Sequence, residues 1–222
     1  MKKFAIIVAG GAGIRMGGTI PKQFQLLKGK PVLWYSVKAF ADAFDDISIV
    51  LVIAEIYKAW VESIMSEFPL QKYSIAAGGE TRFHSVKNGL DYIDGDSIVF
   101  VHDAVRCLAS PVLIRKCYDE TIKSGNAIPA IAATDTIRIE TTDGNKQIDR
   151  DLVKIIQTPQ TFFAGQLKEA FLHDYDPYFT DEASVIERSG VKINLIEGEL
   201  SNIKITRPID LIVAEKILGD KR

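Results

Sequence analysis

Short, nearly unbroken runs of β-branched and other apolar residues alternate along this chain with stretches whose apolar positions recur every three or four residues. The runs are Phe4 to Val8, Ser48 to Ile53, Tyr73 to Ala76, Ser97 to Val101, Ala127 to Ile131, Lys192 to Ile196 and Asn202 to Ile205, and each reads as a strand. Between them, Leu33, Val37, Phe40 and Phe44 fall at i, i+4, i+7 and i+11, and Phe83, Val86 and Leu90 at i, i+3 and i+7, which places each set on one helical face. A run such as Ile49-Val50-Leu51-Val52-Ile53 offers water no polar side, so helices must cover both of its faces. The pattern predicts an α/β fold with a doubly wound, mainly parallel sheet. Its crevice for a ligand then lies at the carboxyl ends of the strands.

One segment departs from this rhythm. Thr136 to Glu140 alternates, Asp143-Gly144 supplies a turn and Lys146 to Arg150 leads away, which predicts a hairpin. Its apolar face, Ile137, Ile139 and Ile148, needs a covering surface, because an isolated hairpin is only marginally stable. That surface is either the same domain or a second copy of the chain, and a homodimer through this arm is the reading adopted here.

With 222 residues, 47% hydrophobic and 25% charged, the chain has material for one sizeable core. It is read as a single domain over 1–222 with a hairpin arm at about 134–152. Lys and Arg total 27 against 29 Asp and Glu, and no long basic run occurs, so neither composition nor charge marks a nucleic-acid partner. Cys107 and Cys117, with only three histidines, form neither a disulfide framework nor a zinc motif and point to a reducing cytoplasm. Lys2-Lys3 and the following apolar residues imitate the start of a signal peptide, but the run is short and Arg15 interrupts it. No stretch approaches the roughly twenty apolar residues of a membrane span.

Candidate chemistry begins directly after the first strand, at Ala9-Gly10-Gly11-Ala12-Gly13-Ile14-Arg15-Met16-Gly17-Gly18-Thr19-Ile20-Pro21-Lys22-Gln23. Glycine removes the Cβ that would hold backbone N–H groups away from a phosphate chain, and Arg15 and Lys22 add two cations. The third glycine of a dinucleotide fingerprint is replaced by Met16, and Thr19-Ile20 stands where a Walker A loop needs Lys followed by Ser or Thr. The stretch therefore reads as a different polyphosphate loop, against the plainer reading of a glycine-rich turn.

Three further clusters fit that loop. Asp103, in Val101-His102-Asp103-Ala104-Val105-Arg106, ends an apolar strand where a carboxylate faces the crevice, and one such oxygen with phosphates and water is a usual Mg²⁺ arrangement. Capping of the next turn or pairing with Arg106 is its alternative reading, and His102 reads as an orienting residue. In Gly78-Gly79-Glu80-Thr81-Arg82-Phe83-His84-Ser85, Arg82 and Ser85 share a helical face beside two glycines, so base or phosphate contact and simple helix capping both remain open. Thr180 and Thr206 read as helix N-caps. Lys204, inside the apolar run Asn202 to Ile205, calls for an anion, and a second phosphate is the natural one.

Taken together, the A-G-G-x-G-x-R-M loop, Pro21-Lys22-Gln23, Gly78 to Arg82, His102-Asp103-Ala104, Asp149-Arg150, Thr158-Pro159-Gln160, Thr180 to Ser184 and Asn202 to Thr206 resemble the 2-C-methyl-D-erythritol 4-phosphate cytidylyltransferase family nearly end to end. The resemblance implies a Rossmann-like nucleotidyltransferase that joins CTP to methylerythritol phosphate and releases pyrophosphate. It implies Arg15 and Lys22 as catalytic residues at the α-phosphate and Asp103 as the Mg²⁺ ligand. CTP is assigned to Ala9, Gly10, Gly11, Ala12, Gly13, Gly79, Glu80, Arg82 and Ser85, and the acceptor to Thr136, Arg150, Thr158, Thr180 and Lys204. In the family the hairpin arm exchanges across a homodimer and carries Arg150 to the neighbouring site. Cys107 departs from the family's usual proline, which bears on local backbone stiffness. A ribitol 5-phosphate cytidylyltransferase shares the loop and the Pro-Lys-Gln step, and a nucleotide-sensing module without turnover is the alternative from another class.

Overall fold

The computed structural model describes residues 1–10, 20–69 and 71–220. In chain order, β1 (Lys2–Val8) is followed by a two-strand ladder, β2 (Leu26–Leu27) and β3 (Lys30–Pro31), then α1 (Val32–Ala43), β4 (Ser48–Ile53), α2 (Lys58–Met65), β5 (Lys72–Ala77) and α3 (Arg82–Leu90). Next come β6 (Ser97–Asp103), α4 (Pro111–Ser124), β7 (Asn126–Ala132) and the hairpin of β8 (Ile137–Thr141) and β9 (Gly144–Ile148). β10 (Lys154–Ile156), β11 (Gln160–Phe163), α5 (Ala164–Ala170), α6 (Glu182–Arg188), β12 (Leu195–Glu197) and α7 (Pro208–Asp220) complete the described chain.

The main sheet runs β5-β4-β1-β6-β11-β7, with β10 and β12 also paired to β7. β5 with β4, β4 with β1, β1 with β6 and β7 with β12 are parallel, and only β10 and β11 run against their neighbours. The sheet is thus mainly parallel, as the apolar runs predict. Strand alternation sends Ala5, Ile7, Ile49, Leu51 and Phe100 to one face, where they meet Leu33, Val37 and Phe40 of α1, Ile64 of α2 and Ile114 of α4. Phe4, Ile6, Val50, Val52 and Val99 point the other way, onto Phe83, Val86 and Leu90 of α3, Leu167 of α5 and Ile186 of α6. A third cluster packs Ala214 of α7 against Leu27, Val32, Leu108 and Ile205.

The structure corrects several local expectations. Asn202 to Ile205 forms no ladder: the Ile205 N–H donates to the Val105 carbonyl at 2.9 Å, and the Asn202 side chain donates to the Thr158 carbonyl at 2.8 Å. The run Lys192 to Ile196 shortens to β12, because Asn194 is tied instead to the start of β7 through Asn126. Strands β10 and β11 carry no long apolar run, and a proline between them denies the ladder a donor, so periodicity does not announce them. The hairpin forms with Ile137 opposite Ile148, but its turn falls at Thr142-Asp143, one residue before the expected pair. β8 and β9 pair only with each other among the described residues.

Candidate active site

Strand order reverses between β1 and β6, since the chain leaves β1 toward β4 on one side and returns to β6 on the other. Such a switch point leaves a crevice beyond the carboxyl ends of the strands. Here that crevice has a volume of about 230 Å³ and is lined by Ala9, Gly10, Lys22, Gly79, Glu80, Arg82, Ser85, Asp103 and Lys204. A larger hollow of about 460 Å³ lies at the opposite ends of β1, β4 and β5. None of the candidate residues lines it, and its Lys2 and Lys3 are held by Asp94 and Asp46.

The exit of β1 is fixed by the strand's neighbours. The Ala9 N–H donates to the Val52 carbonyl at 2.8 Å, and the buried Gln23 side chain donates to the Ala9 carbonyl at 2.6 Å. Gln23 thereby ties the strand exit to the short turn Lys22–Phe24, whose Phe24 packs on Tyr57 and Trp60 with ring centroids 5.2 and 5.0 Å away. Gly11, Ala12, Gly13 and Arg15 lie outside the described residues.

The opposite wall is the start of α3. Thr81 caps it, its hydroxyl accepting from the His84 N–H, while the Ser85 hydroxyl accepts from the Gly79 N–H at 3.0 Å and donates to the Thr81 carbonyl at 2.9 Å. Gly79 is required by proximity: a Cβ there would stand 2.7 Å from the His84 carbonyl carbon and 2.9 Å from the Ser85 nitrogen. Packed this closely, the strand exit and helix start present Arg82 to the crevice.

Asp103 is the hub. Its Oδ1 accepts from Nε and Nη2 of Arg82 at 3.3 and 3.2 Å, Oδ2 meets the Lys204 ammonium at 2.7 Å, and Arg106 Nε stands 4.0 Å from Oδ2. Burial alone would raise the carboxyl pKa, but Arg82, Lys204 and Arg106 override it and hold Asp103 well below the usual carboxylate range. Arg82 also donates through Nη1 to the buried Glu182 carboxylate of α6. Burial would lower the Arg82 pKa, yet Glu182 and Asp103 raise it above its ordinary value. Burial pushes Glu182 up, with Arg82 pulling against it. The anion that meets Lys204 in this state is therefore Asp103, and Lys204 stands on an irregular segment rather than on the expected strand.

His102 is buried, and burial lowers its pKa to about 4. Its Nε2 lies 3.2 Å from the Arg106 carbonyl, which can only accept, so Nε2 carries the proton and Nδ1 accepts from the Thr158 hydroxyl at 3.0 Å. The same hydroxyl accepts from the Asp103 N–H at 3.1 Å. His102 thus orients Thr158, and Thr158 fixes the backbone beneath the hub.

A second crevice of about 180 Å³ adjoins the first and is lined by Thr158, Thr180, Arg82, Asp103, Arg106 and Lys204. Thr180 is exposed there and does not cap α6. Asp181 does, through a capping box with Ser184. Thr206 is likewise no cap, because its N–H and hydroxyl both donate to Asp210, which reaches back from the first turn of α7. Thr136 and Arg150 line neither crevice of their own chain: both are exposed, and Arg150 donates to the Thr134 carbonyl at 2.9 Å.

Sequence reading missed Glu182, Gln157 and Gln160 as parts of this site, and it named Arg106 only as the alternative partner of Asp103, a pairing the structure contains with Nε 4.0 Å from Oδ2. Glu182 looks like an ordinary first-turn acid, and only its burial beside Arg82 reveals its work. Arg106 ties the site together by donating to the Ile156 and Asn202 carbonyls at 3.0 and 2.8 Å. The two glutamines stand on either side of Thr158-Pro159 in a segment without helical or strand period, the one signal that they serve contacts rather than packing.

A divalent cation fits the donor set. Asp103 is an ionised hard oxygen ligand that lines both crevices, where a cation would take the place of Arg82 on Oδ1 or of Lys204 on Oδ2, and among the described residues no group of three His, Cys, Asp or Glu converges. Such a cation would take Asp103 as its protein carboxylate and complete its shell with phosphate oxygens and water, the pattern usual for Mg²⁺.

A crevice lined by Lys22, Arg82 and Lys204 at the switch point of a Rossmann-like sheet is suited to a phosphorylated ligand, and the known proteins it resembles give the class, an α/β nucleotidyltransferase. The family model described as 2-C-methyl-D-erythritol 4-phosphate cytidylyltransferase matches residues 4–220, and the chain belongs to that family. Its relatives of that name include one from Bacteroides fragilis, 43% identical over 219 residues and covering 98% of this chain and 100% of the relative. Another, from Porphyromonas gingivalis, is 42% identical over 98% of each chain. Among solved structures, 4-diphosphocytidyl-2C-methyl-D-erythritol synthase from Anaerococcus prevotii superposes with a TM-score of 0.85 at 28% identity over 98% of each chain. The 2-C-methyl-D-erythritol 4-phosphate cytidylyltransferase of Francisella tularensis gives 0.78 at 35% identity, over 97% of this chain and 99% of that one.

Proposed function

We propose that the chain transfers the cytidylyl group of CTP to the phosphate of 2-C-methyl-D-erythritol 4-phosphate and releases pyrophosphate, a step of the non-mevalonate isoprenoid pathway. One observation carries this reading: the ionised Asp103 and its cations stand where two crevices meet, one lined by Ala9 and Gly10 at the exit of β1 and the other by Thr158 and Thr180. A nucleotide triphosphate suits the first and an acceptor phosphate the second.

The chemistry needs no general base. A sugar phosphate whose second pKa is about 6 is largely dianionic at neutral pH, so one of its oxygens can attack the α-phosphorus directly. The new P–O bond forms as the bond to pyrophosphate breaks, and the electron pair leaves with pyrophosphate. His102, the histidine nearest the hub, has both ring nitrogens engaged and stays neutral. What remains for the protein is charge: Lys22, with Arg15, stabilises the equatorial oxygens and the departing group, while Arg82 and Lys204 orient the two phosphates. Mg²⁺, when bound, neutralises part of the triphosphate charge, and Asp103 would hold it.

The exposed Arg150, at the base of a hairpin with an apolar Ile137–Ile148 pair, supports a homodimer in which each arm serves the other subunit's acceptor crevice together with Thr136. Cys107 and Cys117 are free and buried, which suits a reducing cytoplasm. No helix among the described residues is long and apolar enough to cross a membrane.

A pyrophosphate-release assay that crosses four nucleoside triphosphates with methylerythritol 4-phosphate and ribitol 5-phosphate tests base and acceptor together. Turnover with CTP and methylerythritol phosphate is expected. Preference for ribitol phosphate, or CTP binding by calorimetry without turnover on either acceptor, would replace this reading.

A further inference from the structure

Gln157-Thr158-Pro159-Gln160 bridges the gap between β10 and β11, and its two glutamines are 2% and 1% exposed. A buried carboxamide is stable only where its donor and acceptor are both used. Gln157 spends both on one turn: Nε2 donates to the Glu199 carbonyl at 2.8 Å and Oε1 accepts from the Glu199 N–H at 3.1 Å. The Asn202 N–H closes the same turn on the Glu199 carbonyl at 3.0 Å. Gly198 leaves room for this plug, since a Cβ there would collide with Gln157 Oε1.

Lys204 follows two residues after Asn202, and the next residue is anchored by the Ile205 N–H on the Val105 carbonyl at 2.9 Å. The lysine therefore hangs between two fixed points, and one of them is the turn that Gln157 fills. We infer that Gln157 is a positioning residue for the acceptor: by clamping the 199–202 turn it holds the Lys204 ammonium beside Asp103, where an entering acceptor phosphate would meet it. This inference rests on the proposed role of Lys204 toward that phosphate. Asn126 supplies an internal comparison, because it makes a similar pair of buried bonds, from Nδ2 to the Lys192 carbonyl at 3.0 Å and from the Asn194 N–H to Oδ1 at 2.7 Å, outside both crevices.

The test uses the full-length chain carrying Gln157→Met, Gly198→Ala or Asn126→Leu, with CTP and methylerythritol 4-phosphate varied separately and hydrogen exchange followed over 199–205. Gln157→Met and Gly198→Ala should each raise the acceptor KM about tenfold and leave the CTP KM within about twofold. Both should also speed exchange in that segment. Asn126→Leu should lower Tm to a similar extent without the acceptor-selective rise. An unchanged acceptor KM, or both KM values rising together, overturns the inference. Should Gln157→Met fail to fold, Gly198→Ala decides. If the unmodified protein shows no turnover, the functional reading fails by itself, and unchanged exchange in the variants would separately refute the clamp.

Discussion

At the scale of single residues, the site is a balance of charge around one carboxylate. Arg82, Lys204 and Arg106 surround Asp103, and a dianionic phosphate entering the crevice meets cations already oriented by that carboxylate. Lys22 lines the nucleotide crevice on a turn that Gln23 ties to the strand exit. A preorganised cation facing the transition state is worth on the order of 3 kcal/mol, so Lys22→Ala should lower kcat by about a hundredfold or more with an unchanged fold. Near-normal turnover by purified Lys22→Ala protein would remove that role. His102 makes a different demand. Its pKa is about 4 in the folded chain against 6.5 ordinarily, so below pH 6.5 the unfolded chain takes up a proton that the native state refuses. Its contribution to stability is complete above pH 6.5 and is lost as pH falls toward 4, on the order of 3 kcal/mol in all. His102→Gln keeps a neutral group at every pH, so the Tm advantage of the natural protein over this variant should shrink between pH 7.5 and 4.5. A constant advantage would contradict the assignment of a neutral, buried imidazole.

At the scale of elements, the site depends on how closely strand exits approach helix starts. The end of β5 and the first turn of α3 leave no space for a Cβ at Gly79, and the atoms in the way belong largely to backbone, which cannot step aside. Gly79→Ala should therefore cost about 2 kcal/mol of stability and weaken CTP binding, by thermal melting and calorimetry respectively. Unaltered CTP affinity would mean that this close approach serves packing alone. The sequence made much of this legible. Val86 and Leu90 of α3 and Leu33, Val37 and Phe40 of α1 are buried on the faces their spacing predicts, and Ser48–Ile53 is a strand throughout. What it obscured were short elements whose existence depends on distant partners. β10 and β11 are held by β6 and β7, and Lys204 sits on a segment shaped by Gln157 and Val105 rather than by its own apolar pattern.

At the scale of the whole molecule, the β8–β9 hairpin pairs with no other strand among the described residues, and the exposed Arg150 at its base lines neither crevice of its own chain. If the arm serves a second copy, Lys22→Ala and Arg150→Ala chains, each inactive alone, should recover activity when mixed and allowed to exchange. One site of the hybrid would then combine an intact Lys22 with an intact Arg150. Absence of recovery in a verified hybrid dimer would assign Arg150 to its own subunit. The sequence by itself determined the alternation of strand and helix, the two-sided core and the chemical character of the loop after β1, because periodicity and glycine or charge content act through near neighbours. Only the tertiary structure decided that Arg82, Asp103, Glu182 and Lys204 form one network, and that Thr158 works through His102 and the Asp103 backbone. Those partners stand as far apart as Asp103 and Lys204, and whether a charge is paired or merely solvated depends on burial and on distances that no local pattern encodes.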